Sequence, residues 1–120
     1  MIDYQMGEIE KRFADIIWDN EPISSTSLAK ISEGALGWKK STTYTVLKRL
    51  CDKGIFKNEQ GMVASLMTRD EFYSAQSERF VETTFKGSLP AFLTAFSARK
   101  KLSKEDVDEL RKLVAEYGEE

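Results

Sequence analysis

Residues 38–66 read WKKSTTYTVLKRLCDKGIFKNEQGMVASL, and the fold is decided in this stretch. Ser41 is a good N-terminal cap for a helix over residues 42–53, which Gly54 ends. The inward face of that helix is Thr43, Val46, Leu47 and Leu50. Its outward face carries Thr42, Tyr44, Thr45, Lys48 and Arg49. Two short apolar runs follow, Ile55-Phe56-Lys57 and Met62 to Leu66, around the polar turn Asn58-Glu59-Gln60-Gly61. They predict a β-hairpin. A hairpin directly after a basic, hydroxyl-rich third helix is a wing.

Working outward toward the N-terminus, Ile9, Phe13, Ile16 and Ile17 recur at helical spacing and predict a first helix near residues 6–19. Asn20-Glu21-Pro22 stops it. Ser24 caps a second helix, with Ile23 placed to staple onto Leu28. Leu28 and Ile31 line its inner side, and Gly34 and Gly37 end it. Trp18 and Trp38 are expected in the core. Three short helices, the third one basic, have the layout of a helix-turn-helix unit.

Toward the C-terminus the chain stays helical. Thr68-Arg69-Asp70-Glu71 is a capping box, with Met67 and Phe72 as its staple. The helix it opens runs to Phe85, with Phe72, Tyr73, Gln76, Phe80 and Thr83 or Thr84 on one stripe, and Gly87 breaks it. Ser88-Leu89-Pro90 starts a shorter helix with Phe92, Leu93 and Phe96 on its apolar face. Ser103 caps the last helix, whose seam is Val107, Leu110, Leu113, Val114 and Tyr117. The fold class is mainly α: a winged helix-turn-helix domain with a small two-stranded wing over residues 1–67, then a three-helix arm over residues 68–120.

The arm holds more apolar side chains than about 50 residues bury among themselves. Each large one left in water forgoes about 2 kcal/mol. A second copy of the chain relieves this, and the expected dimer interface is Phe80, Phe85, Leu89, Phe92, Leu93, Phe96, Leu110 and Val114. Packing of the arm on its own winged helix is the alternative.

Charge adds a partner. The 120-residue chain has a net charge of −2, yet Lys39, Lys40, Lys48, Arg49, Lys53 and Lys57 face a single acid, Asp52, across residues 39–57. A clustered cationic patch is what phosphate binding requires; a merely solvated basic helix face is the plainer alternative. Lys39 and Lys40 precede the third helix and suit phosphates. Ser41, Thr42, Tyr44, Thr45 and Lys48 lie where a recognition helix reaches base edges. Arg49 either joins them or pairs with an acid of the first two helices. Lys57 is the wing's contribution.

Other functions are disfavoured. The chain has no histidine, hence no Ser–His–Asp or Cys–His machinery and no His-ligated metal. Its seven glycines never form a phosphate loop. Neither enzymatic activity nor a cofactor is expected. No apolar stretch approaches the roughly 20 residues of a membrane span. Met1-Ile2-Asp3-Tyr4 does not start a signal peptide. The one cysteine, Cys51, excludes an internal disulfide, and a cytoplasmic protein is expected. Cys51 is read as a buried structural thiol, with Lys48 and Lys53 near enough to leave redox sensing open.

The segments Ile16-Ile17-Trp18, Trp38, Ser41 to Gly54, Phe92 to Phe96 and Leu102 to Leu113 occur here in that order. In this they resemble the penicillinase repressor family, which includes the methicillin-resistance and copper-responsive repressors. The resemblance covers nearly the whole chain. It implies a homodimeric transcriptional repressor that binds double-stranded operator DNA of dyad symmetry. It also implies release by proteolysis in the arm, with a membrane-linked sensor or protease as partner, or by metal in the copper branch. The copper branch carries a Cys-x-Cys motif near its end; this chain has none, so copper sensing is not expected. At the position of the family's Asn-Phe cleavage bond this chain has Ala95-Phe96, a departure from that motif. Family wings carry basic residues and Tyr, whereas this one offers Lys57 followed by Glu59. A winged-helix protein-interaction module without DNA binding is the alternative function.

Overall fold

The computed structural model describes residues 4–118. Helix α1, Glu8–Asn20, begins after Gly7 with Glu8 and Glu10 in its first turn, where carboxylates meet the positive end of the helix dipole. Its 3.6-residue period puts Phe13, Ala14 and Ile17 inside, fully buried. A two-residue strand, β1, Ile23–Ser24, follows Glu21-Pro22. Ser24 doubles as the cap of α2, Ser25–Leu36, its side chain accepting from the Ser27 amide.

The inner face of α2 is Leu28, Ala29 and Ser32. Leu28 is inside as predicted, whereas Ile31 lies on the outside, 36% exposed, and Ala29 and Ser32 complete the inner face in its place. Gly34 sits within the helix, and Gly37 alone ends it. Gly37 is left-handed, and its amide and that of Trp38 bond back to Glu33 and Ser32 carbonyls.

Helix α3 is Lys40–Asp52, starting two residues before the predicted position. Burial of Thr43, Val46, Leu47 and Leu50, all predicted inward, sets its phase. Its backbone cap is Lys39, whose carbonyl accepts from the Thr43 amide at 3.1 Å. Ser41 is therefore a first-turn residue and not the cap.

The hairpin pairs β2, Phe56–Glu59, with β3, Met62–Ser65, in antiparallel register. Gln60 and Gly61 form its two-residue turn with φ of 52° and 83°. Both values are positive, as the tight hairpin turn that matches strand twist demands. The sheet has three strands, in the order β1-β3-β2, because Ile23 and Ser24 pair with Val63 and Met62. The predicted wing of two strands thus gains a short third one. A two-residue strand that also caps a helix leaves no alternation to read.

Helix α4, Arg69–Phe85, opens with the predicted capping box. The Glu71 amide donates to Thr68 Oγ1 at 3.1 Å, and the Thr68 amide donates to Glu71 Oε1 at 2.9 Å. Phe72 is fully buried in the same core as Phe13, Leu28, Leu50, Phe56 and Val63. Trp18 stacks at 5.2 Å from Phe56 and 5.7 Å from Phe72. Phe72 thus belongs to the winged-helix core, although its stripe was predicted to continue into the arm. Arg69 ties the start of α4 to α1, bonding Asp15 at 3.0 Å and Asp19 at 2.6 Å.

Two compact units result, one ending at Glu78 and the other beginning at Arg79. The second contains the end of α4, then α5, Leu89–Arg99, and α6, Lys104–Tyr117. Ser88 and Ser103 cap α5 and α6, each hydroxyl accepting a first-turn amide.

Candidate nucleic-acid interface

The buried face of α3 holds the helix by apolar contact, which leaves the opposite face to solvent. Lys39, Lys40, Ser41, Thr42, Thr45, Lys48 and Arg49 are all exposed there, and Tyr44 is half-buried. The predicted outward set is thus gathered on one surface.

Several of these side chains are organised. Lys40 and Tyr44 are four apart, so they meet on one helical stripe. The Lys40 ammonium lies 5.8 Å from the centre of the Tyr44 ring, within cation–π range. That contact was missed in the sequence, although the spacing carried the signal. The Thr45 hydroxyl donates to the Ser41 carbonyl at 2.9 Å. Lys48 pairs with Asp52 at 3.1 Å. Both partners are well exposed, and a pair of this kind contributes little. No described acid pairs with Lys39, Lys40 or Arg49, which leaves Arg49 outside any ion pair with α1 or α2 among the described residues.

Two more cations of the basic stretch, Lys53 and Lys57, have acidic partners. Lys53 is only 17% exposed; it donates to the Gln5 carbonyl at 2.6 Å and pairs with Glu10 at 3.5 Å. It fastens the segment before α1 to α3. On the wing, Lys57 pairs with Glu59 at 3.3 Å. Residues two apart on a strand share a face, so the pair cancels the wing's one cation locally.

Cys51 is half-buried. Burial first, and then the neighbouring Asp52 carboxylate, push its thiol above the ordinary value, while Lys48 draws it back in part. A thiol held protonated at neutral pH is a poor redox sensor. Lys53, one of the two cations expected to activate it, is engaged with Glu10.

The second unit presents a separate apolar surface. Phe80, Phe85 and Phe92 meet edge-on at 5.9, 6.1 and 5.7 Å, and Phe96 lies 6.2 Å from Phe92. The cluster is not closed: Phe80 is 48% and Leu89 55% exposed. Leu93 is half-buried. On α6 an open hollow is lined by Leu102, Val107, Leu110, Arg111, Val114 and Ala115. Among the described residues of this unit none is fully buried, and much of its apolar surface stays in contact with solvent. Among the described residues no helix is long and apolar enough to cross a membrane.

Known proteins are similar to this chain in sequence. The family model described as penicillinase repressor matches residues 6–116. The methicillin resistance regulatory protein MecI of Staphylococcus aureus (strain Mu50) is 23% identical over 115 residues, covering 92% of this chain and 94% of its own. Its counterpart from Mammaliicoccus sciuri is 22% identical over the same length. The penicillinase repressor of Bacillus licheniformis is 23% identical over 117 residues, covering 94% of this chain and 91% of its own.

Proposed function

The chain belongs to the penicillinase repressor family, and from that premise we propose that it is a homodimeric, sequence-specific repressor that binds a dyad-symmetric operator through α3. The observation that carries this reading is the exposed face of α3. There Lys39, Lys40, Lys48 and Arg49 flank the hydroxyls of Ser41, Thr42 and Thr45 and the Tyr44 ring, while the opposite face is locked into the core.

In this reading Lys39 and Lys40 bind phosphates at the start of α3. Thr42, Tyr44, Thr45 and Lys48 reach base edges in the major groove. DNA contact falls to residues 1–67. Dimerisation falls to the 68–120 arm, through Phe80, Phe85, Leu89, Phe92, Leu93, Phe96, Leu110 and Val114. Induction through a membrane-linked sensor or protease completes the proposed partners.

A protein-interaction module without DNA binding is the second reading. The net charge of −2 and the neutralised wing favour it. One titration separates the two. If each subunit places about four cations on phosphates, a dimer makes about eight contacts, and log K falls against log salt with a slope of about −7. Binding to a duplex from the region upstream of the protein's own gene, measured between about 50 and 200 mM salt, reads that slope. A slope near zero, or no binding at the low end, favours the interaction module.

A further inference from the structure

Thr45 is exposed at the middle of the outward face of α3, and its hydroxyl is already engaged. A threonine Cβ carries only a hydroxyl, a methyl and a hydrogen. With Oγ1 turned back along the helix and its single proton given to the Ser41 carbonyl at 2.9 Å, the methyl is the branch left to face outward. The same back-bonding recurs at Thr83 and Thr94, which donate to the Arg79 and Pro90 carbonyls. It is a common arrangement for threonine within a helix. Offering that hydroxyl proton to a base means breaking a bond the helix already supplies.

We infer that Thr45 is a specificity-determining residue that reads a thymine by its C5-methyl, through methyl-to-methyl contact in the major groove, and donates no hydrogen bond to a base. The inference rests on the DNA-binding reading above and adds the chemistry of one contact. Thymine is the one base with an apolar group on the major-groove edge. Lys40, in contrast, directs its charge over the Tyr44 ring at the helix start, where phosphates approach.

Deoxyuridine tests this directly, because it keeps every hydrogen-bonding group of thymidine and lacks only the methyl. Binding selection from a random duplex pool with the full-length protein first defines the half-site. Each thymine of that half-site is then replaced in turn by deoxyuridine, and affinity is measured for the unaltered protein, Thr45→Val and Thr45→Ser. At one position the unaltered protein should lose about fourfold per half-site, the worth of one buried methyl. Thr45→Val keeps a methyl in place and should show the same loss. Thr45→Ser keeps the hydroxyl alone and should bind the two duplexes equally. The inference is overturned if Thr45→Ser discriminates as well as the unaltered protein, or if Thr45→Val loses discrimination while Thr45→Ser retains it. A pool from which the unaltered protein enriches no motif overturns the DNA-binding reading itself, and the inference with it.

Discussion

Glu21 accepts two hydrogen bonds from Ser65, from the backbone amide at 2.8 Å and from the hydroxyl at 2.7 Å. Continuing the Ile23–Val63 register backward by two positions brings Glu21 opposite Ser65. Pro22 lies between and has no N–H for the ladder. The Glu21 carboxylate thus stands in for a backbone partner and fixes the wing to the end of α1.

Glu21→Ala should therefore cost about 2 kcal/mol, the scale for hydrogen bonds to a charged acceptor. Ser65→Ala removes one of the two bonds and should cost about 1 kcal/mol. Urea unfolding of both variants and their double measures the coupling. Strict additivity of the two losses would show that the pair does not interact.

Thr43 carries a second, opposite expectation. Its hydroxyl is fully buried with no hydrogen-bond partner among the described residues, as is that of Ser32. A buried hydroxyl left unpaired costs about 1–3 kcal/mol, and valine replaces it with a methyl of similar volume. Thr43→Val should raise the urea midpoint by an amount worth about 1 kcal/mol, with the slope unchanged. A lowered midpoint would mean that the hydroxyl has a partner in solution.

These two positions also mark how far the sequence could be read. The period of α3 is unambiguous because Val46, Leu47 and Leu50 are large and apolar, so the outward face followed with it. The face of α2 was legible only in part, because Ala29 and Ser32 are buried beside Leu28 while the bulkier Ile31 stays outside. Hydrophobicity reports that a residue can be buried, not that it must be. β1 and the commitment of Lys53 to Glu10 depend on partners 38 or more residues away in the chain, and local spacing carries no trace of them.

The capping box of α4 has a pH signature. Glu71 has its carboxyl below the ordinary value, first because of the Thr68 backbone amide and then because of the Thr68 side chain. A carboxylate depressed by folding adds stability above its unfolded value and loses it as pH falls through the folded one. The thermal midpoint of the unaltered protein should therefore fall more steeply with acid than that of Glu71→Gln, starting near the ordinary glutamate range of about pH 4. Parallel curves for the two proteins would remove the carboxylate from the cap. The side chain is fully exposed, so the difference is one of shape.

Variants of the charged residues separate contact from cancellation. Lys40→Ala should weaken binding to every duplex alike and make the salt slope shallower by about 2 for the dimer, one lost contact per subunit. Glu59→Gln should do the reverse, because it releases Lys57 from its 3.3 Å pair at the wing. Binding should tighten and the slope steepen. If Glu59→Gln changes neither, the wing stays away from the phosphates.

The arm gives the last prediction. Phe92 sits at the centre of the ring cluster, in contact with Phe80, Phe85 and Phe96, and Leu110 lines the hollow on α6. Exposed apolar area on this scale within one small unit calls for cover, and a second copy supplies the same surface in return. Phe92→Asp and Leu110→Asp each set an unpaired charge into the proposed interface, a cost of several kcal/mol once desolvated. Sedimentation at tens of micromolar, roughly the range where a modest dimer persists, should give a dimer for the unaltered chain and monomers for both variants. Operator affinity should fall with dimerisation, because two recognition helices held about one turn of the duplex apart bind as one ligand. The winged helix has its own core around Phe13 and Phe72, so each variant should keep most of its helical signal. A monomeric unaltered protein would strip the arm of its proposed purpose. Variants that remain dimeric would move the interface off Phe92 and Leu110.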